Sequence, residues 1–284
     1  MDRSIQKEVK DMKKGLWLKI VAFAVVFCFC AGGLAVAGTV VIKGSTTVLP
    51  IAQKAAEDFM KINPDVNISV SGGGSGEGIK AIIDGTCDIA DSSRFIKDKE
   101  VKLAMERNVL PVPHRVALDC VVPVVHPSNP LQDISLERLK DIYKGAVTNW
   151  KELGGPDSPI VVISRDTSSG TYEVWQEKIL HEEKVTPQAL LQASNGAVAQ
   201  AVAKNKYAIG YIGIGYVNQD VKALKVAGVE ASATTALNGT YPVSRALFMF
   251  TNGWPAGDAM SFINFVVGPA GQKIVKEEGF VPMY

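Results

Sequence analysis

From residue 39 onward, short runs of β-branched residues alternate with segments in which apolar residues recur at helical spacing. "TVVIK" predicts a strand beginning at Thr39, "PIAQKAAEDFMKIN" a helix ending near Pro64, and "VNISVSG" a second strand. "EGIKAIIDG" then predicts a helix closed by Gly85, and "CDIADSS" a third strand. This βαβαβ order implies an α/β fold with a largely parallel sheet wrapped by helices. Two further strand candidates, "HRVALDCVVPVVHP" over 114–127 and "YPVSRALFMFTNG" over 241–253, exceed the usual five or six residues. Between them lies another alternating block: helix "SLERLKDIY", strand "IVVIS", helices "TYEVWQEKIL" and "NGAVAQAVAKN", and strand "AIGYIG". The expected organisation is therefore a discontinuous first lobe (38–120 and 241–284), a continuous second lobe (121–240) and a two-strand hinge. Terminal helices over "AGDAMSFINFVVGPAGQKIVKEEG" complete the first lobe.

The N-terminal residues follow a different pattern. Lysines 13, 14 and 19 precede the apolar run "IVAFAVVFCFCAGGL", and "AVA" at 35–37 supplies small residues at cleavage spacing. Residues 1–37 thus read as a cleavable secretory signal peptide, with Met12 an alternative start. The run is shorter than the roughly 20 residues a membrane span needs. Cys28 and Cys30 follow phenylalanines, whereas lipid attachment needs a small residue before the cysteine. A soluble, periplasmic protein is expected. Cleavage leaves 24 basic against 26 acidic residues, so no global field favours nucleic acid or a membrane surface. Of 284 residues, 47% are hydrophobic and 21% charged, which excludes disorder as the default. Cys87 and Cys120 remain after cleavage. In an oxidising compartment an even pair suggests a disulfide, worth on the order of 3–4 kcal/mol in the chain-entropy model, with two buried thiols as the alternative.

Three strand-to-helix junctions consist of small hydroxylated residues and glycine: "GSTTVLP" at 44–50, "SGGGSGEG" at 71–78 and "SRDTSSGT" at 164–171. A fourth strand ends in "DSSR" at 91–94. In an open parallel sheet the ligand crevice lies outside the carboxyl ends of the strands, where all four sit. Helix-start N–H groups carry unmet hydrogen-bonding capacity and the positive end of the macrodipole, so an anion is stabilised there. Arg94 and Arg165 add forked, charge-assisted donors suited to a tetrahedral oxyanion. Taken singly, each turn also reads as an ordinary N-cap, and Arg94 as part of a solvated charged face.

Enzymatic motifs are weak or missing. "GEGIKA" at 76–81 meets only the loose dinucleotide form, no G-K-[ST] follows the glycines, and no G-x-S-x-G elbow is present. His114, His126 and His181 lack metal-ligand spacing. No catalytic residue, metal or cofactor is expected.

With these turns in place, the order of "GSTTVLP", "GGGSGEGIKAI", "DIADSSR", "TNW", "ISRDTSSGTYEVW", "SNGAVAQAVA", "AIGYIGIGY" and "FVVGPAGQKIV" resembles the substrate-binding proteins of phosphate ABC transporters. The resemblance runs from about residue 39 to the C-terminus. It implies the two-lobed type II periplasmic binding-protein fold, with two doubly wound sheets joined by a two-strand hinge. It also implies capture of inorganic phosphate in the interlobe cleft and delivery to a membrane ABC permease by a monomer. Carried over by position, Thr46 and Thr47 bind from the first helix start, Ser75 from the second, and Ser93 with Arg94 from the strand end. Arg165, Ser169, Gly170 and Thr171 close from the other lobe. Some family members place an aspartate where Ser93 stands, as acceptor for the proton of hydrogenphosphate. Here the position is serine, and Asp91 lies two residues earlier on the same face of an extended strand. Discrimination against sulfate is then expected to rest on other acceptors or to be weaker. The alternatives are another tetrahedral oxyanion (sulfate, molybdate or tungstate), a phosphate-sensing or adhesion protein on the same fold, and an exported phosphatase, for which neither metal site nor nucleophile is found.

Overall fold

The computed structural model describes residues 38–284; the expected signal peptide over 1–37, with Cys28 and Cys30, lies outside the described residues. The chain opens with β1 (Thr39–Gly44), α1 (Leu49–Ile62), β2 (Asn67–Gly72), α2 (Ser75–Ile83) and β3 (Ile89–Ser92), in the expected βαβαβ order. A charged helix, α3 (Asp98–Glu106), leads into the long β4 (Pro111–Val125). The middle block is β5 (Asp133–Ile134), α4 (Leu136–Lys144), β6 (Val161–Arg165), α5 (Gly170–Lys178), β7 (Leu190–Gln192), α6 (Asn195–Ala203) and β8 (Ala208–Gly213). Short β9 (Lys222–Ala223), β10 (Lys225–Val226) and α7 (Ala233–Leu237) precede the return strand β11 (Ser244–Asn252) and helices α8 (Gly257–Val267) and α9 (Pro269–Glu277).

The main sheet runs β2-β1-β3-β11-β4-β8-β6-β7. β1 is parallel to β2 and β3, and β6 is parallel to β7 and β8. Between these triplets, β11 is antiparallel to β3 and β4, and β4 is antiparallel to β8. The largely parallel sheet expected from the alternating pattern is therefore two parallel triplets flanking an antiparallel centre. The centre is antiparallel because the chain leaves along β4 and comes back along β11. β4 pairs with β11 through Cys120, and from Val121 onward with β8, so one strand carries the chain from the first triplet to the second. Its last ten residues are all buried, which explains their near-continuous apolar run.

Two main hydrophobic clusters follow this division. One gathers α1, through Ile51, Ala52, Ala55, Ala56 and Phe59, against β1 and the terminal helices. These positions lie on one helical face, which is what makes the helix dock. The other is built from residues 118–243 plus Val281, with the Trp175 ring stacked on Tyr211 at 4.4 Å between centroids.

The cysteines correct an expectation. Cys87 and Cys120 are both free. Cys87 packs against the cluster under α2 and α3, whereas Cys120 belongs to the cluster of the other half, so their side chains do not meet at bridging distance. Burial pushes both thiols up to about 12, which leaves little reactive thiolate.

Candidate functional site

Each polar turn is shaped by local geometry before it meets the others. β1 ends at Gly44, whose φ of +140° and whose approach to Asp91 exclude a side chain, since a Cβ would lie 2.1 Å from the Asp91 carbonyl oxygen. The Ser45 N–H donates to that carbonyl at 2.8 Å, and the chain turns directly into α1 with Thr46 and Thr47 buried. Gly73 and Gly74 N–H groups donate to the Gly44 carbonyl at 2.8 and 2.9 Å, which sets the start of α2 beside the start of α1. Ser75, the first residue of α2, accepts from the Ser93 N–H at 3.0 Å, and the two hydroxyl oxygens are 3.2 Å apart. In the other half, Ser169 caps α5 by accepting from the Tyr172 N–H at 3.2 Å.

The turns then meet across the cleft. Thr47 and Thr171 hydroxyl oxygens are 3.0 Å apart, and the Gly76 N–H donates to the Ser168 carbonyl at 2.9 Å. Gly170 comes so close to the first half that a Cβ there would lie 2.3 Å from Ser75 Oγ and 2.8 Å from Ser93 Oγ. Thr46, Thr47, Ser75, Ser93, Ser169, Gly170 and Thr171 thus form one buried cluster.

The two arginines read from the sequence have different fates. Arg165, 1% exposed, ends β6 and donates from Nε to the Gln192 carbonyl and from Nη2 to the Ala193 carbonyl, both at 2.9 Å. Its Nη1 is buried with no partner among the described residues. Desolvation lowers its pKa; the Asp166 carboxylate opposes this, and the nearby Arg245 guanidinium adds to it. Arg94 stands apart. Its fork donates to both Glu100 carboxylate oxygens at 2.8 and 2.7 Å, and Nη1 also donates to the Phe95 carbonyl. Its Nε makes an ion pair, without an aligned hydrogen bond, to Glu173 of α5. Lys97 joins Glu173 at 2.8 Å. These ion pairs line a cavity of about 680 Å³ that includes Arg165, Asp166 and Tyr172 but none of the clustered hydroxyls.

Sequence reading missed three buried residues that tie the cluster to the central strands. Arg245 of β11 lies directly opposite Asp119 of β4 and donates to Asp119 Oδ2 from Nε at 2.9 Å and from Nη2 at 2.7 Å. Nη2 also reaches Thr47 Oγ1 and Thr171 Oγ1, each at 3.1 Å. Asn195, at the start of α6, donates to Thr46 Oγ1 at 3.1 Å and to Thr47 Oγ1 at 3.0 Å. Burial raises the pKa of Asp119 although Arg245 opposes it, and burial lowers that of Arg245 although Asp119 opposes it. A signal was present: Arg245 is the one charge in the second long strand candidate, and Asp119 is the one charge in the apolar run 116–125 of the first, and a fully buried charge is rarely found without a partner. Asp91 is also fully buried, its Oδ1 has no partner among the described residues, and desolvation raises its pKa well above the usual carboxylate range. The histidines stay outside the cluster: His114 bonds Thr251 and His126 bonds Ser128. Among the described residues no group of carboxylates, histidines and cysteines is arranged to hold a metal, and no helix is long and apolar enough to cross a membrane.

This arrangement can hold an anion in donors drawn from both halves, and comparison with known proteins agrees. The family model of the PBP superfamily domain matches residues 31–270. The phosphate-binding protein PstS of Bacillus subtilis is 34% identical over 248 residues, covering 87% of this chain and 81% of that protein. A candidate phosphate ABC transporter substrate-binding protein from Clostridium perfringens, solved with bound phosphate, superimposes with a TM-score of 0.82 at 37% identity, over 87% of this chain and all of that one. An ABC-type phosphate transport receptor from Vibrio cholerae gives a TM-score of 0.71 at 31% identity, over 85% of this chain and 99% of that one. The chain belongs to the PBP superfamily and, within it, to the PstS-like group of substrate-binding proteins.

Proposed function

We propose that this protein is an exported binding protein that captures inorganic phosphate between its two halves and delivers it to an ABC permease. The observation that carries this reading is the meeting of polar turns from opposite halves, Thr47 with Thr171 and Ser75 and Ser93 with Gly170, beside a buried Arg165 with an unpartnered Nη1. The names and bound phosphate of the relatives support the choice of ligand. In this reading the lobes are 38–120 with 241–284, and 121–240, and the protein works as a monomer. Thr46, Thr47, Ser75, Ser93, Arg165, Ser169, Gly170 and Thr171 surround the anion. Arg94, engaged by Glu100 and Glu173, clasps the closed halves at the cleft mouth rather than donating to the ligand. Phosphate drives closure because donors from both halves reach it together only in the closed form, a population shift set by differential affinity.

Calorimetric titration of the mature protein, stripped of ligand by reversible unfolding, tests it. One-to-one phosphate binding that excess sulfate does not displace is expected. Binding of sulfate or molybdate without phosphate would keep the anion socket and overturn the ligand.

A further inference from the structure

The network behind the clustered hydroxyls sets the direction of their protons. Asn195 Oδ1 accepts from the Gly213 N–H at 3.1 Å, which fixes the amide so that its NH2 faces Thr46 and Thr47. Arg245 Nη2 has two protons: one goes to Asp119, and the other is shared in a three-centre bond by Thr47 Oγ1 and Thr171 Oγ1, each at 3.1 Å, while Thr47 Oγ1 also accepts from Asn195 at 3.0 Å. A hydroxyl has two acceptor lone pairs and one proton, so Thr47 has nothing left but to donate. Its one remaining hydrogen-bonding neighbour among the described residues is Thr171 Oγ1 at 3.0 Å. Thr171 in turn accepts from Thr47 and takes its share of the same Arg245 proton at 3.1 Å. Its lone pairs are then occupied, and its proton has no acceptor among the described residues. Asp119 anchors the sequence by holding the Arg245 guanidinium through Nε and Nη2.

We propose that Asn195 and Arg245, the latter held by Asp119, are positioning residues that fill the acceptor lone pairs of Thr47 and Thr171 and so make the hydroxyl pair an obligate donor to an anion oxygen. The proposal rests on the anion-capture reading above and adds a source of specificity to it. A hydroxyl that cannot accept disfavours any ligand group that presents a proton there, because two donors face to face leave one of them buried and unpaired. It also accounts for a charge pair buried between the central strands, whose guanidinium serves both halves of the cleft at once.

The test is a double-mutant cycle on ligand affinity, with Asn195→Ala, Thr171→Val and the two combined, each checked for folding by circular dichroism and thermal melting. Asn195 does not touch Thr171, so a merely structural role predicts effects that multiply. If Asn195 acts through the hydroxyl pair, removing it matters less once the Thr171 hydroxyl is gone. Each single substitution is expected to raise the phosphate Kd about tenfold to a hundredfold, the worth of one or two charge-assisted hydrogen bonds, with the double variant clearly below the product. A second route is Asp119→Leu combined with Arg245→Met, which removes both charges together and so avoids stranding one of them in the core. It should also lose at least tenfold in affinity while remaining folded. Folded variants that bind within twofold of the parent, or effects that multiply in full, would overturn the proposal. Every titration is run with phosphate and with sulfate. A parent that binds sulfate alone overturns the phosphate reading, and the cycle is then scored on sulfate by the same criteria. A parent that binds neither overturns both.

Discussion

The cleft holds arginines in two settings, and the contrast between them says which can serve an anion. At the mouth, Arg94 faces two glutamates: Glu100 takes the fork in a bidentate pair, and Glu173 of the opposite half takes Nε. On the floor, Arg165 meets only carbonyls, Arg245 shares a single carboxylate, and each keeps one buried Nη1 without a partner among the described residues. A guanidinium presents five donors. Where carboxylates already occupy them, the residue holds protein to protein; where they do not, donors remain for a ligand. Sequence composition sees the same residue type in both places, and only the partners distinguish the roles.

The largest expected effect breaks the floor. Asp119→Ala leaves Arg245 buried and uncompensated, and should lower stability by about 3–5 kcal/mol in chemical denaturation, as for other buried pairs that lose one partner. A loss below about 1 kcal/mol would mean that the pair is solvated. Next, Gly170→Ala places a methyl against Ser75 and Ser93, so the halves no longer meet in this geometry. Overpacking of this kind costs about 1–3 kcal/mol, so phosphate affinity should fall about tenfold or more. Small-angle scattering with phosphate present should report a more open molecule, and unchanged affinity with unchanged closure would show that the contact is dispensable.

The smallest effect concerns Asp91, whose folded-state pKa is raised by burial alone. Between the ordinary carboxylate pKa near 4 and the raised value, the folded protein binds more protons than the unfolded chain. Its contribution to stability is therefore fully present at acid pH and is lost as pH climbs through that window. Asp91→Asn should raise the melting temperature at neutral pH and flatten its decline with pH. A lowered melting temperature would instead reveal a partner for the carboxylate.

Much of this arrangement is legible from residue order. Ser, Thr and Gly at a strand-to-helix junction carry local information, because capping and tight turns depend on neighbours a few residues away, and helices start at all three junctions, at Leu49, Ser75 and Gly170. The central pair is different. Asp119 and Arg245 are 126 residues apart and meet only through the antiparallel register of β4 and β11, which no local pattern encodes. Asn195 sits inside a recognised motif, yet its role depends on Gly213 and the two threonines. Helix α3 escaped because it buries only Ala104 and so lacks an apolar stripe. The disulfide inference failed for a related reason: an even cysteine count reports the compartment and says nothing of distance.

The most direct measurement is phosphate titration of Arg165→Ala and Arg94→Ala side by side with the parent, in the same buffer and with folding verified. The account predicts that Arg165→Ala loses about a hundredfold or more in affinity, the worth of charge-assisted bonds made only to the ligand, and that Arg94→Ala loses less than tenfold. Equal losses in the two variants, or a larger loss at Arg94, would contradict it.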